Sequence, residues 1–209
     1  MAFTRNGYGQ VEPNQLSAQK TGQIYASLPL ASDVDILQNG EFMYYDYKSG
    51  TVTADGEGEP MLVFNEVKLY EPFWQTSYKD FAMIRVGDNY VTSRLATAGY
   101  GDGAETKGVT PNPGHSDWQA GYRMDGIAPR LFKTNIGDIF TTNMVETGAS
   151  ITYSQGDTLK LKKVNKAADK TGNTLVLSKT GDIDALEFVV AKVYTMPDGQ
   201  PGLKLQRIK

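Results

Sequence analysis

The chain has 209 residues, no cysteine and a formal net charge of −3, with 22 glycines and nine prolines. That length suffices to bury a core, and the missing cysteines exclude disulfides, thiolate zinc sites and cysteine nucleophiles together. Residues 1–100 carry seven Lys+Arg against twelve Asp+Glu, net −5, and residues 101–209 are net +2, so neither half has the basic stripe of a nucleic-acid groove.

In chain order, residues 1–30 read as an extended arm. Gly7, Gly9 and Gly22 interrupt helix, and Pro13 is placed to open one short helical turn ending near Gly22. The apolar residues Val11, Leu16, Ile24, Tyr25 and Leu28 are too sparse to close a core of their own. Such an arm is ordered only by docking on the rest of the chain or on a neighbouring subunit. No apolar h-region follows Met1, so no signal peptide is expected, and the longest apolar runs are too short to span a bilayer.

Residues 31–96 read as a first β-module. Phe42 to Tyr47 and Thr51 to Thr53 flank Lys48-Ser49-Gly50 as a hairpin, and Met61 to Tyr70 forms the next strand. Phe73, Trp74, Tyr78 and Phe81 concentrate aromatics as a packed corner, and Gly87-Asp88-Asn89 turns between two further strands. Residues 97–129 hold seven glycines and three prolines and read as a connecting segment between modules, docked by Trp118 and Tyr122.

Residues 130–209 read as a C-terminal, barrel-like β-module. Arg130 to Leu161 gives four strands with turns at Gly137-Asp138 and Gly156-Asp157, where glycine supplies positive φ and aspartate bonds the following backbone. Thr174 to Ser178, Leu186 to Thr195 and Leu203 to Ile208 complete it, with Leu186, Phe188 and Val190 expected on one core-facing side. Lys160, Lys162, Lys163 and Lys166 read as a solvated strand end that discourages edge-to-edge pairing. No apolar helical period persists for three turns. The expected class is mainly β: sandwich or barrel modules with an extended arm and few short helices.

Candidate chemistry is sparse. His115, the single histidine, stands beside Ser116 and Asp117, but three consecutive side chains diverge along the backbone and cannot form a relay. Asp55-x-Glu57-x-Glu59 lacks the remaining ligands of a calcium loop. Gly99-x-Gly101-x-Gly103 lacks the Gly-Lys-Ser/Thr of a phosphate loop. No metal, cofactor or catalytic set is expected; a distant carboxylate pair for hydrolysis is the weakest alternative.

The arm from Met1 to Gln10 and on to Tyr25, Gly40-Glu-Phe-Met-Tyr-Tyr-Asp46, Ile136-Gly-Asp-Ile-Phe-Thr-Thr142 and the terminal strand pair together resemble small structural proteins of tailed bacteriophages. The likeness is greatest to capsid decoration or auxiliary (minor head) proteins. It implies a non-enzymatic virion subunit, present in the host cytoplasm during assembly, that binds the outside of the head. Its partners would be the major capsid protein and copies of itself, with a trimer favoured. The expected partner contacts are Phe3, Arg5, Tyr8, Gln10, Leu16, Tyr25, Trp118 and Tyr122. The alternative is a β-sandwich that recognises a host-surface glycan through Trp74, Tyr100, Trp118 and Tyr122, since sugars stack on exposed aromatic faces.

Overall fold

The computed structural model describes residues 3, 9–31, 33–34, 36–65, 83–85, 128–165, 173–196 and 199–209. Their strands are β1 (Val11–Gln15), β2 (Ile24–Tyr25), β3 (Ile36–Gln38), β4 (Phe42–Asp46), β5 (Thr51–Thr53), β6 (Met61–Val63) and β7 (Met83–Arg85). The chain continues with β8 (Leu131–Phe132), β9 (Ile139–Thr142), β10 (Thr158–Asn165), β11 (Asn173–Ser178), β12 (Ile183–Thr195) and β13 (Pro201–Arg207). One helical turn, α1 (Ser17–Thr21), interrupts them between β1 and β2.

Among the described residues, eleven strands form one curled antiparallel sheet, a half-barrel, in the order β1-β9-β13-β12-β10-β11-β4-β6-β8-β2, with β5 beside β4. β3 and β7 pair separately. The chain is mainly β, as its alternating pattern and turn residues predict. The sheet runs across the expected boundary between modules, because β4 and β6 stand between β11 and β8. Phe64 N–H donates to the Arg130 carbonyl at 3.0 Å and Arg130 N–H to Asn65 Oδ1 at 2.8 Å, so positions 65 and 130 lie side by side.

The core sits inside the curl. Phe42, Phe140 and Phe188, from β4, β9 and β12, are fully buried, with ring centres 5.5 to 6.2 Å apart. Each such pair adds about 0.5–1.5 kcal/mol beyond the burial itself, and this triangle joins strands 146 positions apart in sequence. Leu186, Phe188 and Val190 are all fully buried, as the alternation of β12 requires. Leu159 and Leu161 of β10 point inward in the same way.

Three local expectations are corrected. Pro13 lies inside β1, an edge strand with an irregular register between Glu12 and Gln15, where a missing N–H is tolerated. The helix therefore starts later, at Ser17, and ends as expected at Gly22, whose φ of 72° supplies the left-handed cap. No third strand forms between Gly148 and Ser154. Ile151 N–H donates instead to the Gly148 carbonyl, and Asp157 N–H to the Ser154 carbonyl, so that backbone closes local turns. Finally, the lysine end of β10 is an edge only in part: β10 pairs with β11 from Lys160 to Asn165 and with β12 from Thr158 to Leu161. Lys160 is thus flanked on both sides and Lys162 and Lys163 on the β11 side, while Lys166 lies outside the described residues. The ammonium groups of Lys160, Lys162 and Lys163 meet Asp184, Glu146 and Asp55 at 2.5 to 2.6 Å.

Candidate functional site

The densest polar construction in the described structure is the fastening of the arm. Residues 9–25 reach both edges of the sheet, β1 pairing with β9 at one edge and β2 with β8 at the other. Gly9 N–H donates to Gln38 Oε1 and Gln10 N–H to Asn143 Oδ1, both at 2.7 Å. Thr142 Oγ1 donates to the Gln10 carbonyl at 2.8 Å, and Thr141 Oγ1 to Asn14 Oδ1 at 2.7 Å. The Tyr194 hydroxyl donates to the Glu12 carboxylate and lies 3.0 Å from Thr141 Oγ1. Burial, and then the bond to Glu12, hold the Tyr194 phenol above its ordinary pKa.

Asp138 is the hub. Leu16, at the start of α1, has no side chain able to cap the helix. The cap comes from across the sequence: Asp138 Oδ1 accepts from Ser17 N–H at 3.1 Å, and Oδ2 from Ser17 Oγ at 2.9 Å and Asn135 N–H at 2.9 Å. Asn135 Nδ2 donates in turn to Ser17 Oγ at 2.7 Å and to Gln23 Oε1 at 3.1 Å. A buried carboxylate accepting from a helix-end N–H is a favourable arrangement, since the donor and the local peptide dipoles both favour negative charge.

Gly40 makes the close approach of the 38–41 loop feasible. Its φ is 92°, and a Cβ there would stand 2.2 Å from Thr142 Oγ1, the hydroxyl that holds the Gln10 carbonyl. Only glycine meets both conditions.

The expected contact residues divide sharply. Phe3 is only 6% exposed and meets Tyr153 edge-on at 5.5 Å; Leu16 is 2% exposed. Both belong to the chain's own core, so a partner would reach them only if the arm left its own sheet. Gln10 and Tyr25 are half-buried, Tyr25 lying 5.3 Å from the Tyr45 ring. Arg5, Tyr8, Trp118 and Tyr122 lie outside the described residues, as do Trp74, Tyr100, His115 and the Gly99–Gly103 run. The structure adds Asp138, Asn135, Asn143 and Gln38, which sequence reasoning passed over. Nothing in the residues next to them marks that role.

The acidic loop is used piecemeal. Asp55 meets Lys163 at 2.5 Å, while Glu59 meets Arg207 at 2.6 Å, so these carboxylates face separate cations rather than one metal.

A second polar knot holds the 143–157 segment. Glu146 accepts from Lys162 Nζ at 2.5 Å, Thr180 Oγ1 at 3.1 Å and Ser178 Oγ. The Tyr153 hydroxyl donates to the Glu146 carbonyl at 2.7 Å, and burial pushes that phenol far up. Burial alone would raise the Glu146 carboxyl, but the bonds from Lys162, Ser178 and Thr180 outweigh it and hold the group below its ordinary value. A depressed carboxyl contributes stability that is present above its unfolded pKa of about 4.3 and is lost as pH falls through the folded value. Thermal melting from pH 2 to 7 is therefore expected to show the native chain more stable than Glu146→Gln near neutrality, with the gap closing below about pH 4. A gap independent of pH would mean that the charge of Glu146 plays no part.

The chain matches no protein-family model, no curated protein and no solved structure.

Proposed function

We propose that this chain is a non-enzymatic assembly protein that binds the outside of a tailed-bacteriophage head and stabilises the shell. Its partners in this reading are the major capsid protein and further copies of itself. The observation that carries the reading is the woven arm. Residues 9–25 pair at both sheet edges and are pinned there by part-buried bonds that side chains of the body make to the arm. A body locked in this way suits a cement protein, whose task is to persist and to hold a neighbour. The resemblance of the arm and of the Ile136–Thr142 stretch supports the same reading.

The test is add-back to heads purified without this protein. Saturable occupancy at a copy number set by the head's symmetry, together with greater resistance of the heads to heat, is the expected result. No occupancy would overturn the reading. Removing residues 2–24 would strip β1 and α1 from the body, so the arm's share is tested by Arg5→Ala with Tyr8→Ala, which is expected to weaken occupancy, with circular dichroism checking the variant's fold.

A further inference from the structure

β12 outruns its neighbour. β10 pairs with it from Ile183 to Val189, and Val190 is the last residue held on that side, donating to the Asp157 carbonyl and accepting from Gly156 N–H at 2.8 Å each. β12 continues to Thr195 with β13 on its other side, and among the described residues nothing pairs with Ala191–Thr195 on the β10 side. Which groups face that open edge follows from the ladder. Met196 N–H donates to the Gln200 carbonyl at 2.8 Å, so Met196 and Gln200 are a hydrogen-bonded pair. Antiparallel pairs alternate, which makes Tyr194–Gly202 and Lys192–Lys204 bonded pairs, and Val193–Leu203 and Thr195–Pro201 non-bonded ones. Pro201, with no N–H to give, stands where none is needed. Val193 and Thr195 therefore turn their N–H and C=O groups outward, and the Val193 side chain is 42% exposed.

We propose that this edge is an interface with a second copy of the chain, whose Lys192–Tyr194 pairs antiparallel with it about a two-fold axis through Val193. An open edge is a template for another strand, and Ala-Lys-Val-Tyr-Thr carries three good strand formers. The self-pairing is complementary. Val193 faces the second copy's Val193 as a bonded pair and Lys192 faces Tyr194, while Ala191, at the irregularity between Val190 and Lys192, stands outside the ladder. Lys192 Nζ already lies 5.8 Å from the centre of its own chain's Tyr194 ring, and the second ring stands across the axis from it. A lysine on an edge ordinarily repels another edge. Here the two lysines fall on opposite sides of the axis, each across from a tyrosine; a register centred on Lys192 would oppose them directly. The contact stands independently of the head-binding reading, and it is two-fold rather than three-fold.

The test uses the full chain. Light scattering is expected to give twice the chain mass, and Val193→Lys, which sets two ammonium groups against each other on the axis, is expected to give the single-chain mass with unchanged circular dichroism. Val193→Cys introduces the sole cysteine. Bonded antiparallel pairs hold Cα atoms about 5.5 Å apart, within disulfide reach, so mild oxidation is expected to give a covalent dimer on a non-reducing gel. A native chain of single mass, a trimer indifferent to Val193→Lys, or a Val193→Cys chain that does not cross-link would each overturn the proposal. Should Val193→Lys fail to fold, the cross-link and the native mass decide.

Discussion

Asp138→Ala is expected to lower the unfolding free energy by about 3–5 kcal/mol and to free the helical end of the arm. Asp138 is 5% exposed, and its carboxylate accepts from Ser17 N–H, Ser17 Oγ and Asn135 N–H. Alanine leaves all three donors without this acceptor; a fully buried stranded donor costs about 1–3 kcal/mol, and water relieves part of that at the half-buried Ser17 and Asn135. Losing the anion also removes the favourable charge at the start of α1, worth about 0.3–1 kcal/mol. Relaxation of the arm recovers part of that total. Asp138→Asn keeps one acceptor oxygen and the shape, so it should cost clearly less. Denaturant titration gives the global loss, and hydrogen exchange gives its location. Amides of Ser17–Thr21 should exchange much faster in Asp138→Ala, while the extra exchange in β12 should not exceed the global loss. A loss under about 1 kcal/mol would mean that the cap is dispensable.

The contrast between that residue and its sequence context shows what could be read from the chain and what could not. Gly137-Asp138 was legible as a turn, because glycine with φ of 93° and an aspartate accepting from Asn135 N–H are local facts. That the same carboxylate caps a helix 121 positions away leaves no local mark. β12 was legible for the same reason that its partners were not. Alternation of Leu186, Phe188 and Val190 fixes a strand and its inward face, but nothing in it says that β13 and β10 flank it. The segment from Ile151 to Ser154 alternates just as well, yet its ends bond in turns to Gly148 and Asp157, and the Ile151 carbonyl accepts from Phe3 N–H. Period alone cannot tell a paired strand from an extended loop. Leu16 and Phe3 illustrate the limit on the candidate site. An apolar residue in a sparse arm looks the same whether its own core or a neighbour covers it, and here its own core does.

Arg207→Met is expected to cost about 3–5 kcal/mol, comparable with Asp138→Ala, through the opposite sign of charge. The Arg207 side chain is 9% exposed at the end of β13. Its Nη1 donates to Glu59 Oε1 at 2.6 Å, to the Thr134 carbonyl and to Thr134 Oγ1 at 3.3 Å, and its Nε to the Lys209 carbonyl at 2.7 Å. One planar guanidinium thus joins the acidic loop, the approach to β9 and the last residue. Lysine, a point charge on a flexible stem, cannot span those acceptors at once, so Arg207→Lys should recover only part of the loss. Methionine fills much of the volume but leaves the Thr134 carbonyl, on a residue with no exposure, without a donor, along with a partly buried Glu59 carboxylate. Glu59 is a third exposed, so water offsets some of its loss, whereas the Thr134 carbonyl has no such relief. A double-mutant cycle with Glu59→Gln separates the two effects. The Arg207–Glu59 coupling should be about 0.5–2 kcal/mol, with most of the Arg207→Met cost surviving in the Glu59→Gln background. If the coupling instead accounted for the whole loss, the ion pair and not the bond to Thr134 would be what holds this end of the sheet.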